Sequence, residues 1–401
     1  MDRIEELLTR GVANITPNKE ELKKVLASGK KLNIYLGIDP TSTRIHLGHG
    51  VILRKLNEFA KLGHNVTFLI GDYTALVGDT SDKNKERPVL TSEQIEQNFQ
   101  TYKEQAQKIL NFSKVKIRFN SEWLNKLDPK KIIQLCIQFS LNDFISRELI
   151  RNRLDAKTRV RLHELLYPAL QGYDSYFLDT DAQIGGTDQT FNMQAGRTLQ
   201  KNWRNKESYI LATEFLTGTD GRKMSKSWGN AIWLDDNPID MFAKVMGIKD
   251  DLIIQYFTLA TRFSNEEIEK INMRLNSEGN PINIKKELAR IIVAELYSEK
   301  DALDAEENFE KVVQKQETPE DIPIYQYIGS ESIGIVDLLV KTKLTNSRTN
   351  AKRLIQQGGV SIDNDIINND NRTIQVKNGQ IIKVGKRKFV KIRINSSAPN
   401  S

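Results

Sequence analysis

The chain has 401 residues, 39% of them hydrophobic and 28% charged, and a net charge of +7. Single cores stop growing at ~250–300 residues, so two or more domains are expected, with ample apolar material to build them. No run approaches the ~18 apolar residues of a membrane helix, and a lone cysteine, Cys136, excludes an internal disulfide framework or a multi-cysteine metal site.

The opening stretch MDRIEELLTRGVANI carries acidic residues in a short amphipathic pattern, so neither a signal nor a transit peptide is expected. LNIYLGI (32–38) reads as a buried strand, HLGHGVILRKLNEFAKLG (46–63) as a helix stopped at Gly63, and NVTFLIGDYTA (65–75) as a second strand. Thr91 with Gln94 forms a capping box ahead of a helix through Leu110, and VKIRF (115–119) follows as a strand. Cys136 lies in IIQLCIQF, where it reads as a small buried hydrophobe, and a reducing cytoplasm is its simplest address. AQIGG (182–186) and SYILAT (208–213) are further strands around a helix over 189–201. This alternation predicts a doubly wound α/β fold, a parallel sheet wrapped by helices. Such sheets bind ligands at the carboxyl ends of their strands.

From Ile239 to Gln316 the periodicity is helical throughout. QETPEDIP (316–323), acidic and holding two prolines, reads as a linker. Beyond it, SIGIVDLLVKTKL and SRTNAKRLIQQGG predict two short helices, the second ended by Gly358-Gly359, and VSIDNDII, RTIQVKNGQIIKV and KRKFVKIRI predict strands. Charge divides along the same line. Residues 341–395 hold thirteen Lys or Arg and three Asp or Glu, an excess of ten, which leaves about −3 for the rest. A compact basic module on a near-neutral body suits a polyanion such as nucleic acid; a solvated basic surface is an equal reading of charge alone.

Two short motifs carry chemistry. HLGH (46–49) gathers two of the chain's four histidines where a helix starts, next to the loop IDPTSTRI. Backbone N–H groups and the dipole favour phosphate there, Gly48 lets a ligand lie close, and imidazole N–H groups can meet developing negative charge. A zinc pair lacks a third ligand nearby, and ordinary surface histidines are the other alternative. KMSKS (223–227), between GTDGR and WGN, sets two lysines three apart in a glycine- and serine-flanked loop. Such a loop can fold over polyphosphate and neutralise leaving pyrophosphate, although lysine clusters are commonly just solvated turns.

In this order on an α/β stretch, HLGH and KMSKS resemble the signature pair of the class I aminoacyl-tRNA synthetases. Over essentially its full length the chain resembles the bacterial tyrosyl-tRNA synthetases, through YLGIDPT (35–41), GDTS (78–81), YPALQGYD (167–174) and QIGGTDQ (183–189). The resemblance implies that Tyr35 and Asp174 meet a substrate phenol oxygen. Asp79, Tyr167 and Gln171 would hold its α-ammonium, with Gln189 near the carboxylate. Asp39, Gly48, Gly186, Asp188 and Lys226 would bind ATP, and Thr41, His46, His49, Lys223 and Lys226 would act on the phosphates. Thr80 stands where relatives commonly carry proline, which puts the local loop geometry in question. The resemblance further implies a homodimer through an insertion at about 120–160, ATP as substrate with Mg2+, no protein-bound metal, and tRNA-Tyr and L-tyrosine as partners.

The tail, about 333–395, resembles a small RNA-binding domain first named for a ribosomal small-subunit protein, chiefly in SRTNAKRLIQQGGVSIDN. Arg348, Lys352 and Arg353 would face RNA phosphates. The expected division is therefore a Rossmann-like catalytic domain at 1–228, a helical anticodon-side domain at 229–316, a linker at 317–332, the basic domain and a tail at 396–401. Two alternatives stand beside this reading: a tryptophanyl-tRNA synthetase, and a non-catalytic RNA-binding paralogue.

Overall fold

The chain's first sheet is written in short apolar runs separated by polar turns. In the computed structural model, which describes residues 3–79, 90–277, 280–311, 322–363, 365–385 and 388–394, these runs form β1 (Val12–Thr16), β2 (Asn33–Ile38), β3 (Asn65–Ile70), β4 (Val115–Phe119), β5 (Ala182–Gly186) and β6 (Tyr209–Thr213). Their order is β1-β6-β5-β2-β3-β4, parallel except for β1, which runs antiparallel to β6 at one edge. All five residues of β6 are buried, as expected of a strand covered on both faces.

From β2 the chain passes to β3 on one side, while β5 pairs with β2 on the other. That divergence opens a crevice beyond the carboxyl ends of β2 and β5. The Leu47–Lys61 helix begins just past β2 and buries Leu47, Val51, Leu53, Leu56, Phe59 and Ala60 along one stripe. Gly63, at φ +87°, then reverses the chain at a conformation costly for residues with a Cβ.

The elements differ from the sequence reading in places. β3 stops at Ile70, because Gly71 and Asp72 turn the chain into a short Thr74–Val77 helix. The Ser92–Ala106 helix carries the expected capping box, with Gln94 N–H donating to Thr91 Oγ1 at 3.3 Å and Thr91 N–H to Gln94 Oε1 at 3.0 Å, but it ends before Leu110. Cys136 is exposed, not buried. The Pro129–Cys136 helix buries only Leu135 and turns Ile132 and Ile133 outward with the cysteine. Past β6 the chain is helical through Pro238–Met246, Ile253–Ala260, Asn265–Ser277, Ile282–Leu296 and Glu299–Phe309.

Two compact units divide between Ala302 and Leu303. The second contains β7 (Ile324–Tyr327), β8 (Ser332–Gly334), β9 (Val360–Ile362), β10 (Asp365–Ile366), β11 (Thr373–Gln375), β12 (Ile381–Val384) and β13 (Lys388–Ile394). Five of them form the sheet β10-β9-β12-β13-β7, and β8 pairs with β11. The Ile335–Lys341 and Arg348–Gln356 helices supply Ile335, Leu338, Leu339, Ala351 and Ile355 to a core shared with Val360, Ile382 and Ile392. β7 runs parallel to β13, so residues 324–327 belong to this fold although they lie in the stretch read as linker. Most of QETPEDIP (316–321), Thr80 and its neighbours through 89, and the 396–401 tail lie outside the described residues. Among the described residues no helix is long and apolar enough to cross a membrane.

Candidate active site

Strand alternation points Tyr35 of β2 off the sheet face, where it is buried beside Leu69, Trp123 and Leu124. Its hydroxyl donates to Gln183 Oε1 on β5 at 3.0 Å, and Gln183 is fixed in turn by donating its Nε2 to Met193 O at 2.9 Å. Asp174 enters from the Leu162–Phe177 helix, which carries Tyr167 and Gln171 on the same face at spacings of four and three residues. The buried Asp174 carboxylate accepts from Trp123 Nε1 at 2.8 Å and Asn120 Nδ2 at 3.1 Å. Burial pushes its pKa up to about 8, against the pull of those two donors and with the nearby Asp39 and Asp72 charges adding to the rise. Burial also raises the Tyr35 phenol well above its ordinary value, with the Asp174 charge as the second cause. One hydroxyl and one carboxyl group are thus buried among apolar side chains.

A chain of contacts joins this end to the mouth of the crevice. Asn120 Nδ2 also reaches Thr74 Oγ1 at 2.9 Å, and Thr74 donates to Asp39 Oδ1 at 2.8 Å. Tyr167 donates its hydroxyl to the other oxygen, Asp39 Oδ2, at 2.9 Å. Gly71 is required here, since a Cβ would collide with Asp39 and Thr74. A second carboxylate, the buried Asp79, accepts from Gln189 Nε2 at 2.9 Å, and Gln189 Oε1 accepts from Asn192 at 3.0 Å. Asp39 with Tyr167, and Asp79 with Gln189, thus form two carboxylate-centred clusters.

The HLGH and KMSKS residues form the third cluster. The His46 and His49 rings lie 3.9 Å apart, and His46 N–H donates to His49 Nδ1 at 3.4 Å. A Cβ on Gly48 would come within 2.9 Å of His46 Nδ1, so glycine is what lets the ring fold against the helix start. That Nδ1 is buried and has no hydrogen-bond partner. Burial, then the charges of His49 and Lys223, lower the His46 pKa to about 2, so the ring is neutral at ordinary pH. An unpartnered nitrogen is tolerated better as an acceptor than as a donor, which places the proton on Nε2 for an incoming oxygen.

Lys223 reaches Asp188 Oδ2 at 3.3 Å and lies 3.6 Å from the Phe215 ring centre; Lys226 is exposed. The loop's backbone is set by buried Met224, whose N–H donates to Leu216 O at 3.0 Å, and by Asn230, which accepts from Ser225 N–H at 2.9 Å. Gly186 ends β5 so close to Asp188 that a Cβ would meet its carboxylate at 2.6 Å. Thr41 sits in the turn that closes with its N–H on Asp39 O at 2.8 Å. Gln171 is half-buried on its helix.

Residues 27–314 match the family described as tRNA synthetases class I (W and Y), and residues 314–392 match the tyrosine–tRNA ligase SYY-like C-terminal domain. A tyrosine–tRNA ligase of Dehalococcoides mccartyi strain 195 is 42% identical over 392 residues, covering 97% of this chain and 98% of its own. The chain belongs to the tyrosine–tRNA ligase family. Another relative, the tyrosine–tRNA ligase of Thermotoga maritima, is 39% identical, with 96% of each chain covered. The fold is shared with solved structures: a C-terminally truncated Coccidioides posadasii mitochondrial tyrosyl-tRNA synthetase (TM-score 0.63, 21% identity, 76% of this chain and 91% of that one) and an Archaeoglobus fulgidus tyrosyl-tRNA synthetase complexed with L-tyrosine (TM-score 0.60, 22% identity, 76% and 99%).

The sequence does not single out Asn120, Trp123, Thr74 or Gln183 as site residues. Gln183 lies in QIGGTDQ and Thr74 in the NVTFLIGDYTA run read as a strand, while Asn120 and Trp123 follow the VKIRF strand without a motif of their own. In the second unit, Arg348 pairs with Asp337, Lys352 lies 3.7 Å from Asp370, and Arg353 donates to Asn350 at 3.1 Å. Each is a surface pairing that phosphate can displace.

Proposed function

We propose that the protein activates L-tyrosine with ATP and transfers the tyrosyl group to the 3′ end of tRNA-Tyr. What supports this reading is that Tyr35 and Asp174 are both buried and electrostatically close, the Asp174 charge helping to raise the Tyr35 phenol, so that a hydroxyl and a carboxyl group suited to a phenol lie together. Asp79, Tyr167 and Gln171 take the α-ammonium, and Gln189 lies by the carboxylate. The substrate carboxylate oxygen bonds to the α-phosphorus of ATP, the bond to the β-phosphate oxygen breaks, and pyrophosphate leaves. Asp39, Gly48, Gly186 and Asp188 hold the nucleotide. Thr41, neutral His46, His49, Lys223 and Lys226 stabilise charge on the phosphates as it develops, so the chemistry rests on positioning and electrostatics.

Magnesium accompanies ATP as the counterion of its phosphates. The protein acts in the cytoplasm as a homodimer. Ile133, Ile137, Leu141 and Leu162, exposed by 61%, 72%, 62% and 74%, mark the self-association face within and beside the 120–160 insertion. Residues 1–228 form the catalytic domain, 229–316 the helical one and 333–395, together with β7, the RNA-binding one, where Arg348, Lys352 and Arg353 meet tRNA phosphates.

Tyrosine-dependent ATP–pyrophosphate exchange tests the reading directly. Exchange with tyrosine and none with tryptophan is expected; the reverse selects the tryptophanyl alternative, and no exchange selects the non-catalytic paralogue. A chain ending at Lys311, before β7, keeps exchange but charges tRNA poorly. Full-length tRNA binding weakens steeply with salt, and the shortened chain has a shallower slope.

A further inference from the structure

A histidine that donates to a ligand is ordinarily oriented by a hydrogen bond at its other ring nitrogen. His46 Nδ1 is buried and faces the His49 backbone N–H, a capping contact short of a hydrogen bond. Its ring must therefore be held by packing as well. Gly48 and His49 supply two sides of that packing, and the third comes from outside both signature motifs. The Trp233 ring lies 5.9 Å from His46, tilted by 58°.

Trp233 belongs to the segment that leaves the lysine loop. Residues 231–234 run antiparallel to Ile45–Leu47, with Leu47 N–H donating to Ile232 O and Leu234 N–H to Ile45 O, both at 2.8 Å, and His46 bridged to Trp233. The root of the KMSKS loop is therefore pinned to the helix start that presents His46. The pin is locked from beyond. The Arg44 guanidinium lies 4.7 Å from the Trp233 ring centre, within cation–π range, and its Nε donates to Asp235 at 2.7 Å while Nη2 reaches Asp236 at 3.1 Å. Buried Asp236 also accepts from Trp233 N–H at 2.8 Å and from Lys244 Nζ at 2.5 Å.

We propose that Trp233, clamped by Arg44 and Asp236, is a positioning residue that fixes the His46 ring and keeps the lysine loop in register with it. This rests on the reading that His46 and the loop lysines act on ATP phosphates. Trp233 acts through His46 and the loop root, setting where two groups read as substrate-facing stand. Arg44 is matched to this task because a planar guanidinium can stack on a ring and bind carboxylates at once, which an ammonium cannot.

The test uses full-length Trp233→Leu, Trp233→Phe and Arg44→Lys proteins. Trp233→Leu is expected to lower kcat for pyrophosphate exchange by ~10–10²-fold, the scale of a misplaced catalytic group, with the tyrosine KM unchanged. Trp233→Phe restores most of the rate, and Arg44→Lys falls between. In parallel, the His46 ring resonance, one of four histidine signals, shifts or broadens in Trp233→Leu and Arg44→Lys and not in Trp233→Phe. That readout needs no turnover, so it separates this proposal from the functional reading: absent exchange in the parent protein would sink the latter alone. An unmoved His46 signal in both Trp233→Leu and Arg44→Lys overturns the clamp. So does a phenylalanine variant as impaired as leucine, or a rate loss matched by an equal loss of tyrosine affinity.

Discussion

The Tyr35–Asp174 end of the proposed site, its closed end, and the HLGH–KMSKS end, its phosphate end, are built on opposite principles. At the closed end every named polar group is paired: Tyr35 with Gln183, Asp174 with Asn120 and Trp123. At the phosphate end His46 keeps an unpartnered nitrogen, Lys223 is 40% exposed and held by a 3.3 Å contact to Asp188 and the Phe215 ring face, and Lys226 faces solvent. A buried, satisfied network selects a ligand by what it leaves unpaired when the wrong one enters. Loosely engaged cations instead reserve their interaction for charge that appears during reaction. On the proposed function, recognition and rate enhancement would then be divided between the two ends.

The sharpest way to break that division is to remove the cations. Replacing both Lys223 and Lys226 with alanine should lower kcat for exchange by ~10³-fold, the upper range for lost electrostatic donors, while tyrosine affinity by equilibrium dialysis stays within about twofold. A large loss of tyrosine binding would place the loop in the amino-acid pocket. Asp174→Asn should do the converse. It sets an amide donor against Trp123 and Asn120 and removes the carboxyl group that would meet the phenol, so kcat/KM for tyrosine falls ~10²-fold with the ATP KM unmoved. Tyr35→Phe removes one neutral hydrogen-bonding group and should cost ~10-fold or less, with weaker rejection of phenylalanine as its second signature. Steady-state exchange kinetics with each substrate varied would separate the three.

How much of this was legible beforehand follows the same division. The phosphate end is local: HLGH and KMSKS are each contiguous, because a helix start and a loop can be specified within a few residues. The closed end is not. Gln183 meets Tyr35 from 148 residues away, and Asn120 joins Thr74 and Asp174 across three segments. No periodicity records such meetings, since pairing across a parallel sheet depends on crossover topology. The missed strand β1 has a related cause. VANIT is a short edge strand with two exposed residues, and its pairing with β6 lies 200 residues downstream. Cys136 misled for another reason: its neighbours are apolar, yet their helix packs only through Leu135.

The smallest predicted effect, and the one that reads both ends at once, is the pH dependence of stability. Asp174 is raised from an ordinary carboxyl value to about 8 in the folded chain. Its contribution is therefore complete below about pH 4 and is lost as pH rises through 8, because the folded state holds the proton that the unfolded state has released. His46 is lowered to about 2 from an unfolded value near 6.5, so its contribution is complete above about pH 6.5 and is lost as pH falls. Each group changes stability by up to ~1.4 kcal/mol per pH unit, and between pH 4 and 6.5 the two slopes oppose one another. The parent protein should accordingly show a flat melting profile there, which single variants unmask. His46→Gln should gain on the parent as pH falls from 6.5 to 4.5, and Asp174→Asn as pH rises from 5 to 8, each by about 2–4 °C of Tm per unit. Scanning fluorimetry across pH 4.5–8 measures both. Slopes of the same sign for the two variants would mean that the groups do not titrate from opposite sides, and that the two ends are electrostatically alike.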